Sequence, residues 1–281
     1  MPEFYNPAET SSLLQLINEI DAIQAKLNAQ KPLQAALWAT IQEKLRIEWT
    51  YDSNALEGST LTKGETYFFL REGLTVEGKP FKDFLDARNH AEAIDYLYQI
   101  IKDERPLTPG LMKEFNKLIL SGITHTEAID AVGQKVQKPA TPGEYKRLPN
   151  HVLQADGTIH HYTEPLHVPS EMEELFKWIE ESLAHKHAVV ISAIAHYNFV
   201  RIHPFDDGNG RGARLLMNLI LIKQHYAPAI IRKEQRRAYL EALSLADNGN
   251  LEPFAVLVAR SLLNTQQIIV QDFNGPSASQ S

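Results

Sequence analysis

The stretch HPFDDGNGRGAR, residues 203–214, places two carboxylates, three glycines, one asparagine, two arginines and one histidine in a single short run. A hydrophobic core has no use for such a composition. The apolar spacing before it predicts a helix over 187–201, which ends ahead of His203-Pro204 because a residue before proline disfavours helical angles. Apolar residues on almost every side predict a central helix over 211–225. The stretch is therefore the turn that leads into the N-terminus of a buried helix.

This turn is suited to bind a phosphate chain. The first N–H groups of a helix have no intrahelical partner and the helix dipole is positive there, which favours an anion. Gly208 and Gly210 permit a close backbone approach to such a ligand. Arg211 and Arg214 stand on one face of the first turn, where they would contact the phosphates. Asp207 is suited to hold a hard cation such as Mg²⁺, which accompanies polyphosphates.

Two other interpretations explain less of the turn. A simple helix cap would use an aspartate or asparagine, but the dipole would oppose each arginine in the first turn by about 0.3–1 kcal/mol. A calcium-binding loop would need alternating oxygen ligands and a closing glutamate, which DDGNGRGAR lacks. The turn therefore favours a polyphosphate site.

His203 is the candidate proton acceptor. A lone histidine is more often structural, but this one directly precedes the anion-binding turn. Its ordinary pKa of about 6.5 leaves it mostly neutral at pH 7, so that it can accept the proton of a hydroxyl that attacks phosphorus. Phe205 can bury its ring and fix the loop. The combination indicates nucleotidyl or phosphoryl transfer.

Most of the remaining chain is predicted to be helical. Apolar spacing predicts helices over about 13–27, from Pro32 toward Glu57, and over 83–102, 108–121, 169–185, 233–247 and 251–271. The exception is the middle of the chain, 133–168, where glycine, proline and polar residues dominate. There Asp156-Gly157 suits a type I′ turn and predicts a β-hairpin over 151–162. The expected fold class is all-α with a small hairpin.

Residues 203–214 resemble the signature of the Fic family, His-Pro-Phe-x-(Asp/Glu)-Gly-Asn-Gly-Arg-x-x-Arg, at every specified position. The helices over about 80–265 resemble the Fic core, and residues 10–75 resemble the N-terminal helical segment of many bacterial members. We therefore expect an N-terminal helical segment over 1–80, a catalytic core over 81–273 and a flexible tail over 274–281.

The resemblance implies transfer of AMP from ATP to a Ser, Thr or Tyr hydroxyl of a target protein, with release of pyrophosphate. His203 would be the general base that activates the hydroxyl. Asp207 would be the metal-binding residue, holding Mg²⁺ between the α- and β-phosphates. Asp206 occupies an unspecified position of the signature and receives no role.

The resemblance also implies which residues of the turn bind each phosphate of ATP. Gly208, Asn209 and Gly210 would form the anion hole, with Asn209 on the α-phosphate. Arg211 would bind the β-phosphate and Arg214 the γ-phosphate.

Two further parts of the site follow from the resemblance. Fic proteins have a flap beside the active site that positions the target, and the predicted hairpin falls where that flap should be. An exposed strand edge can pair with a target through main-chain hydrogen bonds, although a plain surface hairpin is the alternative. The expected docking residues are Asn150, His151, Val152 and Leu153. Asp247 and Asn248 lie where family members often place an adenine or ribose contact.

The stretch SNALEG, residues 53–58, fits the inhibitory pattern (Ser/Thr)-x-x-x-Glu-(Gly/Asn) of many Fic proteins. Ser53, Glu57 and Gly58 would be its inhibitory residues. The alternative is a plain helix end with Gly58 as its stop. A glutamate in a last helical turn faces the negative end of the dipole and needs a cationic partner, for which Arg214 is the natural candidate.

The composition of the chain argues against several classes of protein. A net charge of −7 argues against general binding to nucleic acid or to an anionic membrane, and no apolar run is long enough to span a bilayer. The absence of cysteine excludes disulfides and thiol nucleophiles and fits a reducing compartment. With no signal-like N-terminus, the expected location is the cytoplasm. GLTVEGKP, residues 73–80, lacks a Ser or Thr at its end, and chance explains its likeness to a P-loop.

We therefore expect an adenylyltransferase that uses ATP and Mg²⁺ and is inhibited by Glu57. Relatives that move UMP, phosphocholine or phosphate, or that remove AMP, are the alternatives within the fold. A dormant nucleotide-sensing module is the alternative from another class. The sequence does not decide whether the protein modifies itself or whether it forms a homodimer.

Overall fold

A largely buried helix, α8 (Asn209–Lys223), lies at the centre of the molecule. It packs against α7 (Ala188–Ile202), α5 (Pro109–Ile119), α4 (Phe81–Lys102) and α2 (Ala35–Leu56). The central position predicted for this helix is confirmed. It begins two residues earlier than predicted because Gly208, with φ 80°, takes the left-handed conformation at the N-cap.

The computed structural model describes residues 10–30, 34–129, 135–150, 152–153 and 159–274. The other helices in these ranges are α1 (Ser11–Gln30), α3 (Lys63–Glu72), α6 (Val168–Ser182), α9 (Arg236–Asp247) and α10 (Glu252–Asn274). Strand β1 (His125–Ile129) pairs antiparallel with β2 (Lys135–Pro139), and β3 (Val152–Leu153) pairs antiparallel with β4 (Ile159–His160). The all-α class with a small β-hairpin is confirmed.

The N-terminal helices share the hydrophobic core of the rest of the chain. Leu13 and Ile20 of α1 and Leu45 of α2 are buried in the same apolar cluster as Phe254 and Ile269 of α10. Helix α1 packs along α10, the last helix of the chain. The division into segments near residue 80 stays a prediction.

Two elements were not predicted. Helix α3 begins with a capping box between Thr62 and Glu65 and ends at Gly73, whose φ is 68°. These are helix start and stop signals that the sequence carries, although α3 buries little of its surface and has a weak apolar pattern. The β1–β2 pair precedes the predicted hairpin, and the sequence between its strands contains no Asn-Gly or Asp-Gly pair that would predict a hairpin turn.

Several expectations lie partly outside the described residues. Val152 and Leu153 pair with His160 and Ile159 as the predicted hairpin requires, but the Asp156-Gly157 turn and His151 are not among the described residues. The same holds for Pro32, the expected start of the second helix, and for residues 275–281 of the expected tail.

No helix in the described ranges combines the length and the apolar character needed to cross a lipid bilayer. The cytoplasmic location stays a prediction.

Gln24 joins α1 to the core through a buried polar contact. Its Oε1 accepts hydrogen bonds from the Ala227 N–H at 3.1 Å and from Gln266 Nε2 at 2.9 Å. Gln24→Leu leaves both donors without that acceptor, so we expect a loss of about 1–3 kcal/mol in the free energy of unfolding, measured by urea denaturation. Gln15→Leu, at an exposed position of the same helix, is the control. Equal stability of the two variants would contradict this role for Gln24.

Candidate active site

The loop between α7 and α8 is held by the side chain of Asn209. Asn209 Oδ1 accepts from the Phe205 N–H at 2.9 Å, and its Nδ2 donates to the Phe205 carbonyl at 2.7 Å. Asn209 is almost fully buried, and Phe205 is buried as well. The side-chain amide of Asn209 thus braces the loop, while the second N–H of its Nδ2 and its backbone N–H, in the first turn of α8, are not used by these two bonds. The expected contact of Asn209 with the α-phosphate stays a prediction.

Residues that precede the β3–β4 pair brace the same loop from a second side. The Lys146 N–H donates to the Pro204 carbonyl at 2.9 Å, and its Nζ donates to Asn150 Oδ1 at 2.7 Å. Asn150 Nδ2 in turn donates to the Phe205 carbonyl at 2.9 Å. Asn150, expected on the docking surface, thus has its side-chain amide engaged with the loop. Lys146, which is buried, was missed because nothing in its local sequence distinguishes it from a surface lysine.

Asp206 anchors the β1–β2 pair to this loop. Its carboxylate accepts from Lys138 Nζ at 2.5 Å and from Thr141 Oγ1 at 3.0 Å. The position that received no role from the sequence is therefore structural, and it joins the site loop to the segment that follows β2.

His203 lies at the end of α7 with its ring fixed in one orientation. Its backbone is left-handed, with φ 50°, and its N–H donates to the Phe199 carbonyl. The imidazole stacks on Tyr162, with ring centroids 3.8 Å apart and an angle of 20° between the planes. Nδ1 lies 3.3 Å from the Val200 carbonyl, which can only accept, so Nδ1 carries the proton and Nε2 keeps its lone pair.

The surroundings of His203 keep it neutral. Burial, together with the nearby Lys146 cation, lowers the pKa of His203 to about 3. A neutral imidazole with a free Nε2 lone pair is the form that a general base requires.

Arg211 is held at the start of α8 by a buried carboxylate from α4. Its Nη1 donates to Asp86 Oδ1 at 2.6 Å, and its Nη2 lies 3.6 Å from Asp207 Oδ1. Among the residues that the structure describes, Arg211 Nε has no hydrogen-bond partner although it is buried. A buried guanidinium with one unsatisfied N–H is suited to accept a further anion such as a phosphate.

Asp207 lies beside this arginine at the beginning of the turn. Its Oδ1 accepts from the Gly208 N–H at 2.5 Å, and its side chain is 35% exposed. The described residues contain no group of three or more His, Cys, Asp or Glu that could hold a metal ion. A single, partly exposed carboxylate fits a Mg²⁺ that takes one protein carboxylate and completes its shell with phosphate oxygens and water.

Arg214 joins the N-terminal segment to the site. Its Nε donates to Ser53 Oγ at 3.0 Å, and its Nη2 donates to the Ser53 carbonyl at 2.9 Å and to Glu57 Oε1 at 2.8 Å. The partner expected for Glu57 is therefore present. The pair is unequal in exposure, since the Arg214 side chain is 2% exposed and that of Glu57 is 45% exposed.

Glu57 lies against the first turn of α8. It follows the last residue of α2, and Gly58 then ends the helix with φ 99°. A Cβ built on Gly210 would collide with Glu57 Oε1, so the carboxylate occupies the space that a glycine leaves open at the N-terminus of α8. Although the protein partly desolvates the Glu57 carboxylate and so opposes its ionisation, Arg214 holds the pKa of Glu57 below its ordinary value.

Asp247 and Asn248, the two residues expected to contact the adenine or ribose, have different surroundings in the structure. Asp247 Oδ1 accepts from the Tyr197 hydroxyl at 3.0 Å, and its Oδ2 lies 3.7 Å from His160 Nδ1. The His160 ring packs edge-on against Tyr162, which places Asp247 beside the aromatic stack on His203. Asn248 is exposed and donates to the Ser244 carbonyl of its own helix. Asp247 is thus joined to the site through side-chain contacts, and Asn248 is bound locally.

Residues 106–221, which include the whole loop, match the model of the Fic/DOC family. The protein named Protein adenylyltransferase Fic in Drosophila willistoni is 29% identical over 264 residues, which are 90% of this chain and 48% of that protein. The protein of the same name in Drosophila grimshawi is 29% identical over 266 residues, 91% of this chain and 50% of that protein. The chain spans about half the length of the curated relatives it matches.

Solved structures extend the comparison to most of the chain. A Fic domain-containing signaling protein from Bacteroides thetaiotaomicron VPI-5482 is 29% identical and has a TM-score of 0.80, covering 96% of this chain and 100% of that one. A Fic family protein from Desulfovibrio desulfuricans G20 is 25% identical, with a TM-score of 0.75, and covers 98% of this chain and 79% of that one.

The neutral state of His203 is directly measurable. We expect NMR titration of its ring to show no protonation between about pH 5 and pH 8, and Lys146→Met to raise its pKa toward the ordinary range. In the unfolded chain, His203 binds a proton at about pH 6.5, its ordinary pKa, whereas in the folded chain it stays neutral. The free energy of unfolding should therefore decrease as the pH falls below about 6.5. Lys177→Met, at an exposed lysine on α6, is the control. A His203 that titrates near its ordinary pKa would contradict this assignment.

Proposed function

We propose that this chain, which carries a Fic domain and has the Fic fold, transfers AMP from ATP to a hydroxyl side chain of a target protein. The curated relatives named protein adenylyltransferase support this activity. The observation that carries it is His203, whose Nδ1 is bound to the Val200 carbonyl and whose Nε2 is left to accept a proton.

The start of α8 would bind the triphosphate. The backbone N–H groups of Asn209 and Gly210 lie in its first turn, where they and the helix dipole favour an anion. Arg211, fixed by Asp86, would contact the β-phosphate with its guanidinium group. Asp207 would hold Mg²⁺, which supplies charge neutralisation of the phosphates when bound.

His203 would act on the incoming hydroxyl. Its Nε2 takes the proton while the hydroxyl oxygen forms a bond to the α-phosphorus. The bond between that phosphorus and the oxygen that bridges to the β-phosphate breaks, and pyrophosphate leaves with its electron pair. The product is an AMP phosphodiester on a Ser, Thr or Tyr of the target. Fixed donors and cations around the phosphates would carry most of the rate enhancement.

The β3–β4 pair would position the target. Backbone groups of Val152 and Leu153 are already paired with β4, so a target strand would add at the edge that β4 does not use. Such pairing aligns a hydroxyl through main-chain hydrogen bonds and demands little of the target sequence.

Glu57 would inhibit the enzyme by occupying Arg214. The carboxylate takes the Nη2 donor that the γ-phosphate would otherwise use, at 2.8 Å. ATP would then bind with its phosphates out of line for attack. Inhibition is therefore a competition between a side-chain carboxylate and a phosphate for one guanidinium.

ATP that carries an isotope label on either the α- or the γ-phosphate identifies the group that is transferred. We expect label from α-labelled ATP to appear on protein and label from γ-labelled ATP not to appear, because the α-phosphorus is the atom attacked. His203→Ala should abolish the transfer yet leave ATP affinity, measured by calorimetry, within about threefold of wild type, since His203 contacts the hydroxyl and not the phosphates.

The matched control is His185→Ala, which removes an exposed histidine. Transfer of γ-label alone would indicate a kinase-like reaction. ATP binding without transfer of either label, even in the Glu57→Gly variant, would favour the nucleotide-sensing module.

The inhibitory role of Glu57 has its own test. We expect Glu57→Gly to raise AMP transfer, including self-modification, at least about tenfold, because hydrogen bonds to charged groups contribute roughly 1.5–3 kcal/mol each. Adding Arg214→Ala should cancel the gain, since the γ-phosphate then lacks its guanidinium. Glu72→Gly removes an exposed glutamate from the end of α3 and should leave the rate unchanged. Equal activity of wild type and Glu57→Gly would refute inhibition by Glu57.

A further inference from the structure

Two arginines outside the nucleotide site contact the helix that carries Glu57. Arg232 lies in the segment between α8 and α9, Arg236 is the first residue of α9, and both donate to the last turns of α2. The sequence alone gave neither arginine a role.

Arg232 binds two buried carboxylates of α2. Its Nη1 donates to Glu48 Oε2 at 2.8 Å and to Asp52 Oδ2 at 3.0 Å. Asp52 Oδ1 also accepts from the Lys233 N–H at 2.9 Å, and Glu48 Oε1 accepts from Lys63 Nζ at 2.5 Å. Glu48 is 5% exposed and Asp52 3%. Buried carboxylates are strongly unfavourable when they lose their partners, so these contacts hold α2 at a defined position.

Arg236 binds the end of the same helix. Its Nε donates to the Leu56 carbonyl at 3.0 Å. The last carbonyls of a helix lack intrahelical partners, and a cation beside them is favourable. The contact lies one residue from Glu57 and stabilises the turn from which Glu57 projects.

The spacing of these residues shows how α2 is held. Glu48, Asp52 and Leu56 are each four residues apart and form one row along the helix, which Arg232 and Arg236 bind. Ser53 and Glu57 form the adjacent row, which Arg214 binds. Because the rows share one rigid helix, the position of the first row determines where the Glu57 carboxylate lies.

We propose that Arg232 and Arg236 are positioning residues that hold α2 where Glu57 reaches Arg214, and so set the strength of inhibition. This inference rests on the proposed function of the site. Loosening either contact would let the last turn of α2 move away from α8 and leave Arg214 to the γ-phosphate more often.

The test compares Arg236→Gln and Arg232→Gln, each alone and combined with Glu57→Gly. In the otherwise wild-type chain each should raise AMP transfer by about threefold to tenfold, the range that one net hydrogen bond provides. Combined with Glu57→Gly they should add nothing, because no inhibitory carboxylate is left to position. A variant that merely damages the fold would instead lower transfer in both backgrounds. Arg236→Lys, which keeps the cation, should restore part of the inhibition.

Arg237→Gln is the control. It removes a neighbouring arginine of α9 that is exposed and pairs only with Glu241 among the contacts described. The rate of AMP transfer by Arg237→Gln should equal that of the wild-type chain, and the rate of Arg237→Gln combined with Glu57→Gly should equal that of Glu57→Gly alone. Arg236 is itself exposed, so its glutamine variant is expected to fold even where Arg232→Gln does not.

Amide hydrogen exchange gives a readout that needs no AMP transfer. The N–H groups of Glu57, Gly58 and Ser59 donate to carbonyls of the last turn of α2 and should exchange faster in Arg236→Gln than in Arg237→Gln.

Unchanged transfer and unchanged exchange in Arg236→Gln, with Glu57→Gly active, would overturn the proposal. An equal rise in both backgrounds would also overturn it, since the effect would not pass through Glu57. If Glu57→Gly transfers no AMP, the proposed function fails instead, and the exchange comparison alone decides whether Arg236 positions the helix.

Discussion

Two arginine side chains buried in the first turn of α8 are the constraint on which the rest of the structure depends. The helix dipole opposes a cation at this end by about 0.3–1 kcal/mol, and an unpaired buried charge costs several kcal/mol more. Arg211 and Arg214 therefore each need an anion from elsewhere in the fold. Asp86 of α4 supplies one and Glu57 supplies the other. The packing of α2 and α4 against α8 follows from this need as well as from apolar burial.

The two ion pairs differ in exposure. Arg211 and Asp86 are 4% and 7% exposed, so their pair is enclosed by the protein. Arg214 is equally buried, but Glu57 is 45% exposed and lies at the end of a helix. In the proposed function, a phosphate would replace Glu57 without uncovering a buried carboxylate, whereas replacing Asp86 would leave one in the core. Under that proposal Arg211 keeps its partner, and Arg214 exchanges its partner for the ligand.

The sequence predicts this site well where the chemistry is local. The turn before a buried helix, the end of α7 at His203, and the pairing of Glu57 with Arg214 follow from helix signals and the charge at helix ends. Glu57 and Arg214 are 157 residues apart, and their contact was expected only because each belongs to a motif that the sequence shows. Other distant contacts carry no such signal: Asp86 lies 125 residues from Arg211, and Lys146 resembles any surface lysine until the loop folds over it. For Asn209 the sequence suggested a contact with a phosphate, and only the structure shows that its side-chain amide also braces the backbone of Phe205.

If Glu57 and the γ-phosphate compete for Arg214, removal of Glu57 should change how well the protein distinguishes ATP from ADP. Calorimetry at matched Mg²⁺ should find similar affinities for the two nucleotides in the wild-type chain, because Arg214 is occupied and the γ-phosphate adds little. In Glu57→Gly, ATP should bind more tightly than ADP by at least about tenfold, the effect of one charged hydrogen bond. The same ratio of ATP to ADP affinity in both proteins would refute the competition for Arg214.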